Sequence, residues 1–300
     1  MSWISLKVPA TSANLGPGFD SLGLALGLYN FLEAHLTPQE GWHIAVEGAG
    51  AGVLPRDSTN IVVQAMQRVF DRLGFRPPGV SLRLVNHIPL ARGLGSSAAA
   101  RVAGLAAAYH LAGVEWTAEE LLTLAYELEG HPDNVVPALV GGFTVAAVVE
   151  GQVRYVRADP PAQLRAVLAV PEFELATEQA RAVLPTTYSR NDAVHNIGHA
   201  ALVVAAMMSG RTDLLGEAME DRIHQPYRLP LIPGAAAVMR AAREAGAVGV
   251  AISGAGPTLL ALVDGETEPI VQAIRQAWQA TGVPHEVLTV EVERQGLQMF

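Results

Sequence analysis

The loop at residues 89–99 has the residue types that could bind a phosphate group. It reads PLARGLGSSAA and leads into an alanine-rich run that favours a helix. A helix N-terminus carries unpaired N–H donors and partial positive charge, and glycines let an anion reach the main chain. A serine hydroxyl at this position could also ligate the Mg²⁺ that accompanies a nucleotide. The alternative is an ordinary Gly/Ser-rich helix start, so the interpretation needs supporting motifs.

A second polar cluster occurs in the stretch ELEGHPDNVVPALVGG, residues 127–142. Glu129, His131, Asp133 and Asn134 stand where a predicted helix ends at Gly130, so they could be a plain polar turn or part of a site. His195 and His199 are spaced for one face of a helix, but no third metal ligand is evident near them. We interpret these two histidines as helix-face residues.

The composition excludes several kinds of chemistry. Lys7 is the one lysine in 300 residues, and it lies in a strand-like run, so a Walker-type phosphate loop and a pyridoxal enzyme both lack the lysine they need. The absence of cysteine excludes disulfides, thiol catalysis and Cys-ligated metals. A net charge of −9 without any Lys/Arg block argues against a nucleic-acid partner.

The elements that must position these residues mix helices and strands in both halves of the chain. Helices are predicted over 58–74 and from Ser96 to about Gly113, and Thr117 with Glu120 forms a capping box for a third. A hairpin with Gly151 in its turn precedes a proline-bearing stretch at 157–163. In the second half, helices are predicted over 176–185, 191–210, 213–224 and 269–281. Strands are predicted at 164–173 and 285–292, and 247–263 is predicted to form two strands around a glycine turn.

This order lacks the steady alternation of a doubly wound sheet, so it predicts two α+β domains, residues 1–160 and 161–300. The sequence shows neither a signal-peptide pattern nor an apolar stretch long enough to span a membrane. We therefore expect a cytoplasmic protein without a membrane partner.

Two further small-residue loops accompany the first, PATSANLGPGFDSLG at 9–23 and ISGAGPTLLAL at 252–262. With these three motifs in this order, the sequence resembles the GHMP kinase superfamily. The first motif is similar to that of the homoserine kinase family in particular, since neither the lysine of mevalonate-type members nor the G-E-H of galactokinases is present. The resemblance implies an ATP-binding domain of ribosomal-S5-like type followed by a ferredoxin-like domain, and it suggests a homodimer.

The resemblance also implies how ATP and magnesium are held. Ser97 and Glu129 would hold Mg²⁺, and Asn60 would lie near the adenine, although Asn60 could equally be a helix cap. The triphosphate would lie on the loop and first helical turn formed by Pro89, Leu90, Ala91, Arg92, Gly93, Leu94, Gly95, Ser96, Ser97, Ala98 and Ala99.

The implied reaction is ATP-dependent phosphorylation of the side-chain hydroxyl of L-homoserine to O-phospho-L-homoserine in threonine biosynthesis. Asp20 would bind the substrate ammonium, and Arg181 and Arg228 would bind its α-carboxylate. Asn14 and Asn134 would orient the hydroxyl.

The resemblance implies no obvious catalytic base. Asp133 is expected to be structural, although the sequence alone does not dismiss a base role. The alternatives are another GHMP kinase acting on a different small alcohol, and a catalytically silent member that binds a metabolite.

Overall fold

The computed structural model describes residues 3–300, which form two β-sheets with helices packed on them. The first sheet has seven strands, and all its pairings are antiparallel except that of β3 with β4. Its strands are β1 (Ile4–Ala13), β2 (Leu22–Thr37), β3 (Gly41–Gly48), β4 (Gly79–Asn86), β5 (Phe143–Val149), β6 (Gln152–Ala158) and β11 (Gln298–Met299).

Four helices pack with this first sheet: α1 (Ile61–Leu73), α2 (Ser96–Leu111), α3 (Ala118–Glu129) and α4 (Pro132–Val140). The capping box predicted at Thr117 and Glu120 is confirmed at the start of α3. Helix α2 has an almost continuous run of buried residues from Ala98 to Tyr109, many of them alanines. Its first turn is therefore fixed by a well-packed helix body.

The second sheet has four antiparallel strands in the order β10-β7-β9-β8. Its strands are β7 (Arg165–Pro171), β8 (Gly249–Ile252), β9 (Leu259–Val263) and β10 (His285–Glu291). Helices α9 (Ala235–Glu244) and α10 (Glu268–Gln279) contribute to its separate hydrophobic core. This strand order and the β-α-β-β-α-β sequence of elements are those of a ferredoxin-like unit, so the expected α+β class is confirmed.

The remaining helices lie in the connection between β7 and α9: α5 (Thr177–Ala182), α6 (Arg190–Ser209), α7 (Leu215–Ala218) and α8 (Gln225–Arg228). Short 3₁₀ turns at Thr212–Leu214 and Leu229–Leu231 join them. The domain boundary predicted at residue 160 falls in the link between β6 and β7. Strand β11 returns to the first sheet, where it pairs with β1.

The prediction of a helix over 213–224 is wrong, because only Leu215–Ala218 is α-helical in this stretch. The reason is the side chain of Asp221. Its carboxylate accepts hydrogen bonds from the backbone N–H groups of Ile223, His224 and Gln225, which stabilises a turn and the start of α8 instead of a continuing helix.

Candidate active site

A cleft of about 410 Å³ lies between the two sheets, at the point where the three glycine-bearing loops meet. Hydrogen bonds join the loops directly: Thr11 N–H donates to Leu94 O, and Gly254 N–H donates to Ala13 O. The Ser253 hydroxyl donates to Gly93 O at 2.7 Å. The motifs are distant in sequence, so this convergence could be expected only through the resemblance.

The phosphate-type loop ends at Gly95, which has a φ of 69° and provides no capping side chain for α2. The N–H groups of the first turn of α2 are therefore left for a ligand. A Cβ at Gly95 would collide with the Thr11 hydroxyl, and one at Gly93 would collide with Ser253 O. Both glycines are thus required by close packing as well as by backbone conformation.

Most of the predicted ATP-binding segment lines the cleft, namely Pro89 and residues 91–97. Leu90 is outside that lining, and Ala98 and Ala99 are buried in the core beneath it. The Arg92 side chain donates to Pro171 O at 2.9 Å and to Leu90 O at 3.0 Å. Arg92 therefore fastens the loop to the end of β7.

Ser97 and Glu129 are brought together as predicted, with the Ser97 hydroxyl 2.7 Å from Glu129 Oε1. Glu129 is the last residue of α3, and its side chain is only 7% exposed. Hydroxyl and carboxylate oxygens are ligands that Mg²⁺ accepts, and a buried carboxylate that contacts the serine fits an ion at this position.

Arg101 also reaches this carboxylate and forms an ion pair with Glu129. Burial lowers the pKa of the Arg101 guanidinium. Sequence reasoning missed this residue, although its spacing places it one helical turn beyond Ser97 on the same face of α2. Arg101 thus adds a cation to the cleft at the first turns of α2, in addition to the Arg92 guanidinium of the loop.

Asn134 lies at the base of the cleft in α4 and is 9% exposed. Its Oδ1 accepts a hydrogen bond of 2.8 Å from the Thr11 hydroxyl, which fixes the orientation of the amide. Asp133, beside it, is buried and lies 2.6 Å from His131 Nδ1. Asp133 and His131 both line the cleft, so the structural role of Asp133 stays a prediction. Thr11 is a further positioning residue that the sequence did not reveal.

Asp20 and Arg181 both line the cleft but contact each other, with two hydrogen bonds of 3.0 and 2.6 Å. The hydrogen bond to Asp20 raises the pKa of Arg181. The groups expected to bind the two charged ends of one amino acid therefore form an ion pair with each other. A zwitterionic ligand would have to replace that pair with its own ammonium and carboxylate.

The Asn14 side chain maintains the loop that carries Asp20. Its Oδ1 accepts from Asp20 N–H at 3.0 Å, and its Nδ2 donates to Gly254 O at 2.8 Å. Asn14 and Asp20 both have positive φ values, of 70° and 55°, which this pair of contacts helps to hold.

Arg228 lies in the cleft wall, although the residue is only 1% exposed. Within residues 3–300, its hydrogen bonds go to Ala180 O and Gly254 O, both at 3.1 Å, and to His224 Nδ1 at 3.2 Å. Burial lowers the pKa of His224, so this acceptor is neutral at pH 7, and His224 Nε2–H donates to Gly16 O. Burial also lowers the pKa of Arg228 to about 10. A buried cation bonded only to neutral acceptors favours an anionic ligand.

Asn60 is absent from the cleft lining. It is the N-cap of α1, where its Oδ1 accepts from Val62 N–H at 2.9 Å and its Nδ2 donates to Pro55 O at 2.7 Å. The helix-cap alternative therefore describes this structure, and a contact with adenine stays a prediction.

Comparisons with known proteins agree with this geometry. Residues 60–142 match the model for the N-terminal domain of GHMP kinases, and residues 203–283 match the model for their C-terminal domain. The chain therefore belongs to the GHMP kinase family, and its curated relatives place it among the homoserine kinases of that family.

The relatives match over nearly the full length of the chain. Homoserine kinase from Synechococcus sp. is 47% identical over 99% of this chain and 97% of its own length. Homoserine kinase from Deinococcus radiodurans is 45% identical over 97% of this chain and 95% of its own. The crystal structure of homoserine kinase from Cytophaga hutchinsonii superposes with a TM-score of 0.91 at 34% identity, covering 100% of this chain and 98% of its own.

Proposed function

We propose that this protein transfers the γ-phosphoryl group of ATP to the side-chain hydroxyl of L-homoserine, which forms O-phospho-L-homoserine on the way to threonine. The observation that carries the proposal is the combination within one cleft of a phosphate-binding helix start and two arginines beside an aspartate. The first feature suits the nucleotide, and the second suits an amino acid.

In the reaction, the homoserine hydroxyl oxygen forms a bond to the γ-phosphorus, and the bond from that phosphorus to the β,γ-bridging oxygen of ATP breaks. The hydroxyl proton is released during the transfer. Phosphoryl transfer depends mainly on positioning and charge neutralisation, so it does not require a strong base. Asn134, with its amide fixed by Thr11, orients the hydroxyl.

The loop has no lysine, and its Arg92 binds backbone carbonyls, so the positive charge at the phosphates comes from two other sources. Mg²⁺, held by Ser97 and Glu129, would neutralise the phosphate oxygens when it is bound. Arg101 supplies a second cation at the same helix face, and its ion pair with Glu129 keeps it there before the nucleotide arrives. Since Ser97 and Arg101 share one helical face, the phosphates would lie between the helix start and this guanidinium.

The amino-acid end is selected by opposite charges. Arg181 and Arg228 bind the α-carboxylate, and Asp20 binds the ammonium. Of these three side chains, Arg228 is held in place most firmly, because it is buried and makes several hydrogen bonds. The side chains of Arg181 and Asp20 are about one-third exposed. Binding therefore exchanges the Asp20–Arg181 pair for two new pairs and leaves Arg228 in place.

The finer expectations on assembly and location also stay proposals. Helix α6 exposes Val194, Ile197 and Met208, which supports the suggested homodimer. Across residues 3–300, none of the helices is both long and apolar enough to cross a membrane. A cytoplasmic location fits a reaction that consumes ATP.

A coupled assay of ADP release with homoserine, mevalonate, shikimate and galactose tests the proposal. We expect turnover with homoserine to exceed that with galactose by at least about 100-fold, because galactose lacks both the carboxylate and the ammonium group. Mevalonate and shikimate keep a carboxylate but lack the ammonium group, so turnover with each should be lower than with homoserine by about 10-fold or more. Comparable or faster turnover of another alcohol would favour a different GHMP kinase. No turnover with any of them, together with measurable homoserine binding, would favour the silent binding member.

A further inference from the structure

The histidine pair on α6 lies outside the cleft and gains a third neighbour in the structure. His195 and His199 are one helical turn apart, and their rings stack with centroids 3.8 Å apart and an interplanar angle of 23°. The sequence offered no third ligand near them. Glu220, in the turn after α7, places a carboxylate oxygen so that one ligand atom from each of the three residues lies within 4.8 Å of the others.

The nitrogen atoms of this cluster are available for coordination. His199 Nδ1 lies 2.9 Å from Glu217 O, so Nδ1 carries the proton and Nε2 has a free lone pair. His195 Nε2 is buried and has no hydrogen-bond partner within residues 3–300. A histidine that donates its other N–H to a backbone carbonyl is the usual arrangement for a metal ligand.

The donor set defines the kind of ion. Two imidazoles and a carboxylate are typical of zinc and neighbouring divalent transition metals, whereas Mg²⁺ and Ca²⁺ prefer oxygen ligands. Tetrahedral ligands about 2.0–2.1 Å from zinc are about 3.4 Å apart. Glu220 is exposed, so rotation of its side chain can close the remaining gap.

We propose that His195, His199 and Glu220 bind a divalent transition-metal ion of the zinc class, with water completing the coordination. The ion would fasten the segment 219–224 to α6. That segment contains Asp221, which also accepts a hydrogen bond of 2.7 Å from Asn196 on α6 and caps the turn leading to Arg228. None of the three ligands lines the cleft, so the ion has a structural role and takes no part in phosphoryl transfer.

The test is titration of the EDTA-dialysed protein with Co²⁺, followed by visible absorption, and with Zn²⁺, followed by calorimetry. We expect one site with tetrahedral Co²⁺ bands, and a rise in Tm of about 5 °C when free Zn²⁺ is 100 times its Kd. Glu220→Gln changes an exposed side chain and should weaken this site by more than about 100-fold, since even outer partners of metal ligands contribute 10–100-fold. The double variant His195→Ala/His199→Ala should abolish it.

Two control variants identify the source of any signal. The cleft contains another cluster of potential ligands, Asp20, His131 and Asp133, so His131→Ala tests whether the signal arises there. His110→Ala removes an exposed histidine at the end of α2. Both controls should keep the α6 site. The proposal is overturned if the wild type shows no such site, if Glu220→Gln binds Zn²⁺ as tightly as wild type does, or if His131→Ala abolishes the signal.

Discussion

Replacing Arg228 with methionine separates the proposed carboxylate-binding role from a purely structural one. The fall in the pKa of Arg228 to about 10 corresponds to a penalty of about 3 kcal/mol on the buried charged form. Arg228→Met removes this penalty, but it takes the Arg228 donor away from Ala180 O and His224 Nδ1, at a cost of about 1–3 kcal/mol each, whereas Gly254 O keeps its hydrogen bond from Asn14. These effects oppose each other, so we expect the ligand-free stability to change by less than about 3 kcal/mol.

Substrate binding should respond much more strongly than stability. A charge-assisted contact inside a closed site contributes roughly 2–4 kcal/mol, so we expect KM for homoserine to rise about 30- to 1,000-fold. KM for ATP should stay almost unchanged, because the side-chain hydrogen bonds of Arg228 within residues 3–300 go to Ala180, His224 and Gly254 and not to the phosphate-binding loop. Steady-state kinetics with each substrate varied in turn, together with thermal unfolding in the presence and absence of homoserine, measure both effects.

Arg222→Met is the matched control. This arginine precedes α8 in the same segment, but its side chain is 52% exposed and lies 3.7 Å from Asp192. It should leave both KM values at the wild-type level. The reasoning is refuted if Arg228→Met raises the two KM values equally, or if it leaves both unchanged in a folded protein.

Three further variants test the other assigned roles. Glu129→Gln retains an acceptor for Ser97 but loses its charge, so kcat should fall about 10²–10³-fold and the Mg²⁺ concentration for half-maximal rate should rise. Arg101→Met should raise KM for ATP about 10- to 100-fold without changing KM for homoserine, because a hydrogen bond to a charged group contributes about 1.5–3 kcal/mol. Asp20→Asn should raise KM for homoserine by about 10-fold or more, with little effect on stability, because its pair with Arg181 is partly exposed.

Each of these expectations has a distinct contradicting result. Wild-type turnover of Glu129→Gln at limiting Mg²⁺ would show that this carboxylate is only part of a helix end. An unchanged KM for ATP in Arg101→Met would remove the arginine from phosphate binding. If Asp20→Asn bound homoserine normally, the role of Asp20 would be only to pair with Arg181. The substrate ammonium would then bind elsewhere.

The sequence predicted the elements whose signals are local. The capping box at Thr117, the helix after Gly95 and the hairpin around Gly151 depend on neighbouring residues, and the structure contains all three. The prediction of a helix over 213–224 failed because of a side-chain contact that composition does not indicate. Its composition favours a helix, but the side chain of Asp221 competes for the backbone donors of the residues that follow it.

The site was predictable only where a motif or its spacing identified the residue. The meeting of Ser97 with Glu129 followed from the resemblance and is present at 2.7 Å. The Asp20–Arg181 ion pair joins residues 161 positions apart, so periodicity could not indicate it. Glu220 likewise reaches the α6 histidines through a turn whose course is set by tertiary packing. Such contacts depend on the approach of separate elements.

A crystal structure with a non-hydrolysable ATP analogue, Mg²⁺ and L-homoserine tests the central claim most directly. The account predicts that the phosphates lie at the first turn of α2, with Mg²⁺ contacting Ser97 and Glu129. It also predicts that the homoserine carboxylate lies within hydrogen-bonding distance of Arg181 and Arg228, and the hydroxyl close to the γ-phosphate. A nucleotide bound outside this cleft, or a homoserine carboxylate directed away from both arginines, would contradict it.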